Sequence, residues 1–296
     1  MDSDALETFV AIHRAGGFSA GADVLHRSQP AISRRIALLE DEIGAPLFDR
    51  IAGGIVLSQA GRALLPYAER VLAALRDAKQ ALADARTANA GAVSLAVVGT
   101  LASTELTQVL KRFGARFPKA VLSLRTATSA EVSRLVRSGE ADIGLRYHDD
   151  PAGDLVGERL RPETLVVACG REHRLAGKTV RSLTALRAEP WVAFPLAPGQ
   201  SEATSHIHAQ FLVRGVGEIR WTPVDSLTAQ KRLVEAGFGL ALVPESSVKE
   251  ERAAKSLSTI RVGDLKAANP VSLVVRKGGY LNAASQRLIE IVRAGL

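Results

Sequence analysis

A chain of 296 residues, 47% hydrophobic and 23% charged, is long enough for a buried core and suggests two domains. Several classes are set aside: no run of about 20 apolar residues can span a membrane, the acidic start MDSDALETF is no secretory signal, and the lone Cys169 allows no internal disulfide or Cys-rich metal site. The net charge of +7 is not spread evenly, since residues 1–90 hold 10 Lys and Arg against 11 Asp and Glu while residues 91–296 hold 28 against 20; any DNA contact from the N-terminal part must therefore be placed locally.

From Asp4, the residues Leu6, Phe9, Val10 and His13 recur at helical spacing until Gly16-Gly17 stops them. Ser19 reads as the N-cap of a short helix over 20–25. Ser28 reads as the cap of the next helix, with Pro30 in its first turn, where the missing N–H costs nothing. Ile32, Ile36, Leu39 and Ile43 form one buried stripe, and Gly44 ends the helix. Two short helices joined by a tight turn make a helix-turn-helix pattern. The opposite face carries Gln29, Pro30, Ser33, Arg34 and Ala37. Gln can bond adenine and Arg guanine in bidentate fashion in the major groove. Taken alone, that face reads equally well as an ordinary solvated one.

Next come a strand at Leu47-Phe48, Arg50, a turn at Ala52-Gly53-Gly54 and a second strand at 55–57, which together read as a hairpin wing. Ser58 caps a long helix from Gln59 to Thr87. In it Leu64, Ala68, Val71, Leu75, Ala78, Leu82 and Ala85 step by 4 and 3, a heptad seam that calls for a partner helix.

The run SQPAISRRIALLEDEIGAPLFDR, followed by LSQAG, resembles the N-terminal signature of the LysR-type transcriptional regulators from Leu6 to beyond Gly61. The resemblance implies a winged helix-turn-helix over 1–58 and a dimerising linker helix over 59–90. It puts Ser28, Gln29, Pro30, Ser33, Arg34 and Arg35 on or beside the DNA-reading helix, and Arg50 on the wing's approach to the backbone. One departure stands out: the family often carries a basic residue in the wing turn, where this chain has Gly53.

From Ala92 the texture is α/β. Strands are predicted at 93–98, 120–126, 141–146, 165–170, 191–194, 218–224, 239–244 and 271–276, and helices at 103–113, 128–137, 201–213, from Ser226 and at 282–293. Ligands in such sheets bind beyond the carboxyl ends of strands. The polar residues there are Thr100, Ser103, Thr104, Thr128, Ser129 and Arg146, with Phe194, Ser201, Thr204 and Ser226 in the second set. Hydroxyls at helix N-termini with one arginine suit a small anion such as a carboxylate, although each Ser or Thr alone is explained by capping.

GAVSLAVV, SGEADIGL and EAGFGLALVP resemble the family's periplasmic-binding-protein-like effector domain, here 91–296. The resemblance implies two Rossmann-like subdomains, the first over about 91–162 and 266–296 and the second over about 163–265. GFGLAL lacks the third glycine of a dinucleotide fingerprint. His206 and His208 point differently on a helix, and Cys169 has no second thiol to resolve it.

The expectation is a cytoplasmic, effector-responsive, DNA-binding regulator acting as a homodimer or homotetramer on double-stranded DNA, with contacts to RNA polymerase. No cofactor, metal or membrane is called for. The rivals are an enzyme or a small-molecule-binding protein with an N-terminal interaction module. The enzyme is disfavoured because no H-E-x-x-H or P-loop occurs.

Overall fold

The computed structural model describes residues 1–86, 91–102, 104–195 and 206–296. The N-terminal unit contains α1 (Ser3–Ala15), α2 (Phe18–Val24), α3 (Gln29–Ile43), the antiparallel hairpin β1 (Phe48–Ile51) and β2 (Gly54–Leu57), and the long α4 (Gln59–Arg86). It is a winged helix-turn-helix continued into a linker helix. Asp2 caps α1 by accepting from the Ala5 N–H at 2.7 Å. Phe9, Ile12, Ile32, Ile36, Leu39, Leu47 and Leu72 fill one core. The first turns of α4 belong to that core, and at Gly61 a Cβ would stand 2.1 Å from the Leu47 carbonyl oxygen. Only glycine permits this approach.

Three local expectations are corrected here. Gly17, not Ser19, occupies the N-cap of α2, and Ser19 lies inside the helix. Ser28 sits at the N-cap of α3 but makes no side-chain capping bond. Ile43 is 39% exposed because α3 outruns the core by its last turn.

The heptad seam divides. Ala68 is buried with Leu64 packed against the same core, and Leu72 and Ala73 also face inward. Val71, Leu75 and Leu82 are 45%, 41% and 68% exposed. The intrachain core thus takes the start of the repeat and leaves an apolar run from Val71 onward.

The C-terminal part is two α/β subdomains. The first holds β3 (Ala92–Val98), α5 (Thr104–Arg116), β4 (Val121–Ala127), α6 (Ser129–Arg137), β5 (Ile143–Tyr147) and β6 (Leu155–Arg159). The second runs through β7 (Glu163–Gly170), β8 (Thr179–Val180), β9 (Trp191–Ala193), α7 (His206–Leu212), β10 (Trp221–Pro223), α8 (Leu227–Glu235), β11 (Ala241–Pro244), α9 (Lys249–Ala253) and β12 (Leu257–Val262). The chain then returns through β13 (Ala268–Asn269) to β14 (Val271–Arg276) and α10 (Ala283–Gly295).

The first sheet has the order β4-β3-β5-β14-β6, with β3 parallel to β4 and β5. The second has the order β11-β7-β12-β8, and β9 pairs β10 in parallel. The two crossings between subdomains pair with each other, Ala268 with Thr164 and Asn269 with Glu163. β6 and β12 were not predicted from sequence. β6 is an edge strand with little apolar content, and in β12 the buried Leu257 and Ile260 are three apart, against the strand period.

The N-terminal unit is tied to the first subdomain. Arg14 bonds Glu69 at 2.9 Å and Glu140 at 2.6 Å, and Arg276 bonds Asp77 of α4 at 2.6 Å. Burial raises the Glu140 carboxyl, but the Ser138 hydroxyl and the Arg14 and Arg134 guanidiniums outweigh it and hold it down to about 2.

Candidate nucleic-acid interface and interdomain cleft

Helix α3 is clamped by Ile32, Ile36 and Leu39, so its other face is left to solvent. On that face Pro30 stands in the first turn and Gln29 Nε2 donates to Ser33 Oγ at 2.9 Å. Arg34 is exposed and has no ion pair among the described residues. Small neighbours, Ser33 and Ala37, leave the backbone free to approach a flat partner. Arg50 is exposed on β1, beside a turn in which Gly53 (φ 99°) takes the left-handed conformation. The turn thus needs the glycine that displaces a basic side chain.

Arg35 behaves differently from Arg34. Its guanidinium is ion-paired with Asp4 and lies 3.8 Å from Asp2. On α3 it sits on the flank that faces α1, which explains why an adjacent residue of the same type is not free.

In the first subdomain, the parallel register sets Val98 beside Ala127. This brings Thr100, Thr128, Ser129 and Tyr147 to one sheet end. Thr100 Oγ1 lies 2.8 Å from the Tyr147 hydroxyl. Thr128 caps α6 by accepting from the Glu131 N–H at 3.3 Å, and Ser129 Oγ accepts from the Tyr147 N–H at 3.2 Å. In the second subdomain Ala193 pairs Pro223, so exposed Phe194 and Ser226 follow the same ends of two parallel strands. Ser226 caps α8. Ser103, Ser201 and Thr204 lie outside the described residues, as does the side chain of Thr104.

Arg146, the expected anion ligand, already has a partner within the chain. It is buried and donates to Asp150 Oδ2 at 2.7 Å, and Asp150 also pairs with Arg137. The chain reverses at His148 (φ 58°) and returns Asp150 to the arginine four residues earlier. A strand pattern alone does not locate such a salt bridge.

Sequence reading missed the polar link at the crossing. The Tyr147 hydroxyl donates to Glu163 Oε2 at 2.6 Å, and Ser246 donates to Glu163 Oε1 at 2.8 Å. Glu105 of α5 is also ion-paired with Lys249 of α9. These contacts join the two subdomains, and no sequence motif marks them. Burial raises the carboxyl of Glu163 despite its two hydroxyl donors. A raised folded value means that the stability this one group contributes is fullest below the ordinary carboxylate range and is lost as pH rises through the folded value. Glu163→Gln is expected to abolish that fall, so its advantage in Tm over the native chain grows with pH. Parallel Tm profiles for the two proteins would contradict this.

Two apparent sites take plain roles. His208 is buried and meets Trp221 edge to face at 4.9 Å. Cys169 is buried, and burial pushes its thiol up to about 11, which leaves it protonated at neutral pH. Among the described residues no His, Cys, Asp and Glu cluster could hold a metal, and no helix is long and apolar enough to cross a membrane.

Residues 3–62 match the bacterial regulatory helix-turn-helix family of lysR type, and residues 86–296 match the LysR substrate binding domain. The chain belongs to the LysR-type transcriptional regulators. It is 31% identical to the HTH-type transcriptional regulator TfdS of Cupriavidus pinatubonensis over 92% of each chain. It is also 31% identical to BudR of Raoultella terrigena over 83% of this chain and 85% of that one. Among solved structures, full-length CbnR complexed with its target DNA superposes with a TM-score of 0.64 at 28% identity, covering 100% of both chains. This LysR-type regulator therefore combines a DNA-binding winged helix-turn-helix with an effector-binding domain.

Proposed function

We propose that α3 is the helix that reads base edges, with Gln29, Pro30, Ser33 and Arg34 toward the major groove and Arg50 toward the backbone. The observation that carries this reading is the solvent-facing Arg34, free of any carboxylate among the described residues, on a helix whose other face is locked into the core. The working boundaries are 1–58 for DNA binding, 59–90 for pairing, and 91–296 for effector binding. Two chains joined along α4 present two recognition helices to a palindromic site. The resulting protein is a cytoplasmic transcription regulator and not an enzyme, and effector binding alters its contacts with DNA or RNA polymerase.

The effector is a small molecule bound where Thr100, Ser129, Phe194 and Ser226 approach the strand ends. Because Arg146 is held by Asp150, a carboxylate there relies on hydroxyls and helix N-termini instead. Electrophoretic shift of duplexes from upstream of the gene, over a salt series and with added small carboxylates, tests the reading. A sequence-dependent shift that an effector modulates supports it. A shift indifferent to sequence would leave only nonspecific adhesion and defeat it.

A further inference from the structure

Residues 1–58 contain five arginines and no lysine. Three of the five are paired with carboxylates: Arg14 with Glu69 and Glu140, and both Arg27 and Arg35 with Asp4. The last two are unusual in place. Arg27 immediately precedes Ser28 and α3, and Arg35 lies on α3 next to Arg34, so both flank the reading face. Arg27 grips Asp4 with both terminal nitrogens, at 2.9 and 2.8 Å.

The side chains of Asp4, Arg27 and Arg35 are each about one-third exposed. Ion pairs in such positions add little to stability, so a folding role does not account for the cluster. A bidentate guanidinium fits phosphate as well as carboxylate. Neutralising phosphates supplies essentially all nonspecific attraction to DNA. A carboxylate that occupies two guanidiniums at the rim of the reading face therefore competes for the groups the backbone would use.

We propose that Asp4 is an internal counter-ion that holds Arg27 and Arg35 back from the DNA backbone and so limits adhesion to arbitrary sequence. The inference rests on α3 being the DNA-docking helix. Within residues 1–58, Arg34 and Arg50 are the arginines left without an ion pair among the described residues, in a stretch whose five arginines face eight Asp and Glu. Specific sites lose less from this restraint, because base contacts add to the phosphate term there.

The test uses the full chain, a fluorescent random-sequence DNA duplex and a salt series. Asp4→Asn is expected to raise affinity roughly tenfold at low salt and to steepen the slope of log K against log salt by about 0.9 per guanidinium released. Because Asp2 caps α1, Asp4→Asn leaves the cap in place. A second variant, Asp4→Asn with Arg27→Gln and Arg35→Gln, is expected to return the slope to that of the native chain. An unchanged or shallower slope in Asp4→Asn, or a triple variant with a slope below the native one, overturns the inference while the native protein still binds. If the native protein binds no duplex at all, the reading of α3 falls with it.

Discussion

Arg34→Ala is expected to lower affinity for the specific site by about 1–3 kcal/mol per recognition helix, and by on the order of a hundredfold for a paired molecule. The side chain is exposed and has no carboxylate partner among the described residues, so its removal leaves no buried charge behind and Tm stays within about 1 °C or 2 °C. Binding to random duplex changes far less, because one phosphate-sized contact is lost at most. The discriminating measurement is the ratio of specific to random-sequence affinity at fixed salt. A variant that keeps this ratio would move base reading off Arg34.

Helix α3 was legible because two independent patterns agreed. Ile32, Ile36 and Leu39 set the buried stripe, and Gly44 closes the helix in the left-handed conformation at φ 78°. The wing was legible from Gly53-Gly54 for the same reason, since a tight turn needs residues that accept positive φ. What stayed hidden depends on contacts between distant segments. Arg34 and Arg35 look alike in sequence, yet Asp4, thirty or so residues earlier, takes only the second. Arg146 has no visible partner in sequence, and it is the turn at His148 that brings Asp150 onto it. Glu163 carries no signature, because its meaning comes from Tyr147 and Ser246, which the fold brings from either side. Periodicity reports which face is buried; it does not report what buries it.

The linker helix is where that distinction has its largest consequence. A heptad count treats Leu64 through Ala85 as one seam, but the fold spends Leu64 and Ala68 inside the chain and leaves Val71, Leu75 and Leu82 bare. From Val71 the steps 4, 3, 4, 3 through Ala78 and Ala85 persist, with small residues that let a second helix come close. Val71→Glu combined with Leu75→Glu places two like charges in that run and is expected to give a monomer by sedimentation. The fold of each chain survives, because Leu72 and Ala73 keep facing inward, so the circular dichroism spectrum is unchanged. A monomer engages one half-site and loses the roughly millimolar effective concentration that joins the second. Specific affinity then falls about a thousandfold, toward the nonspecific range. If the double variant still sediments as a dimer, the pairing surface lies elsewhere, and the exposed run on α4 needs another occupant.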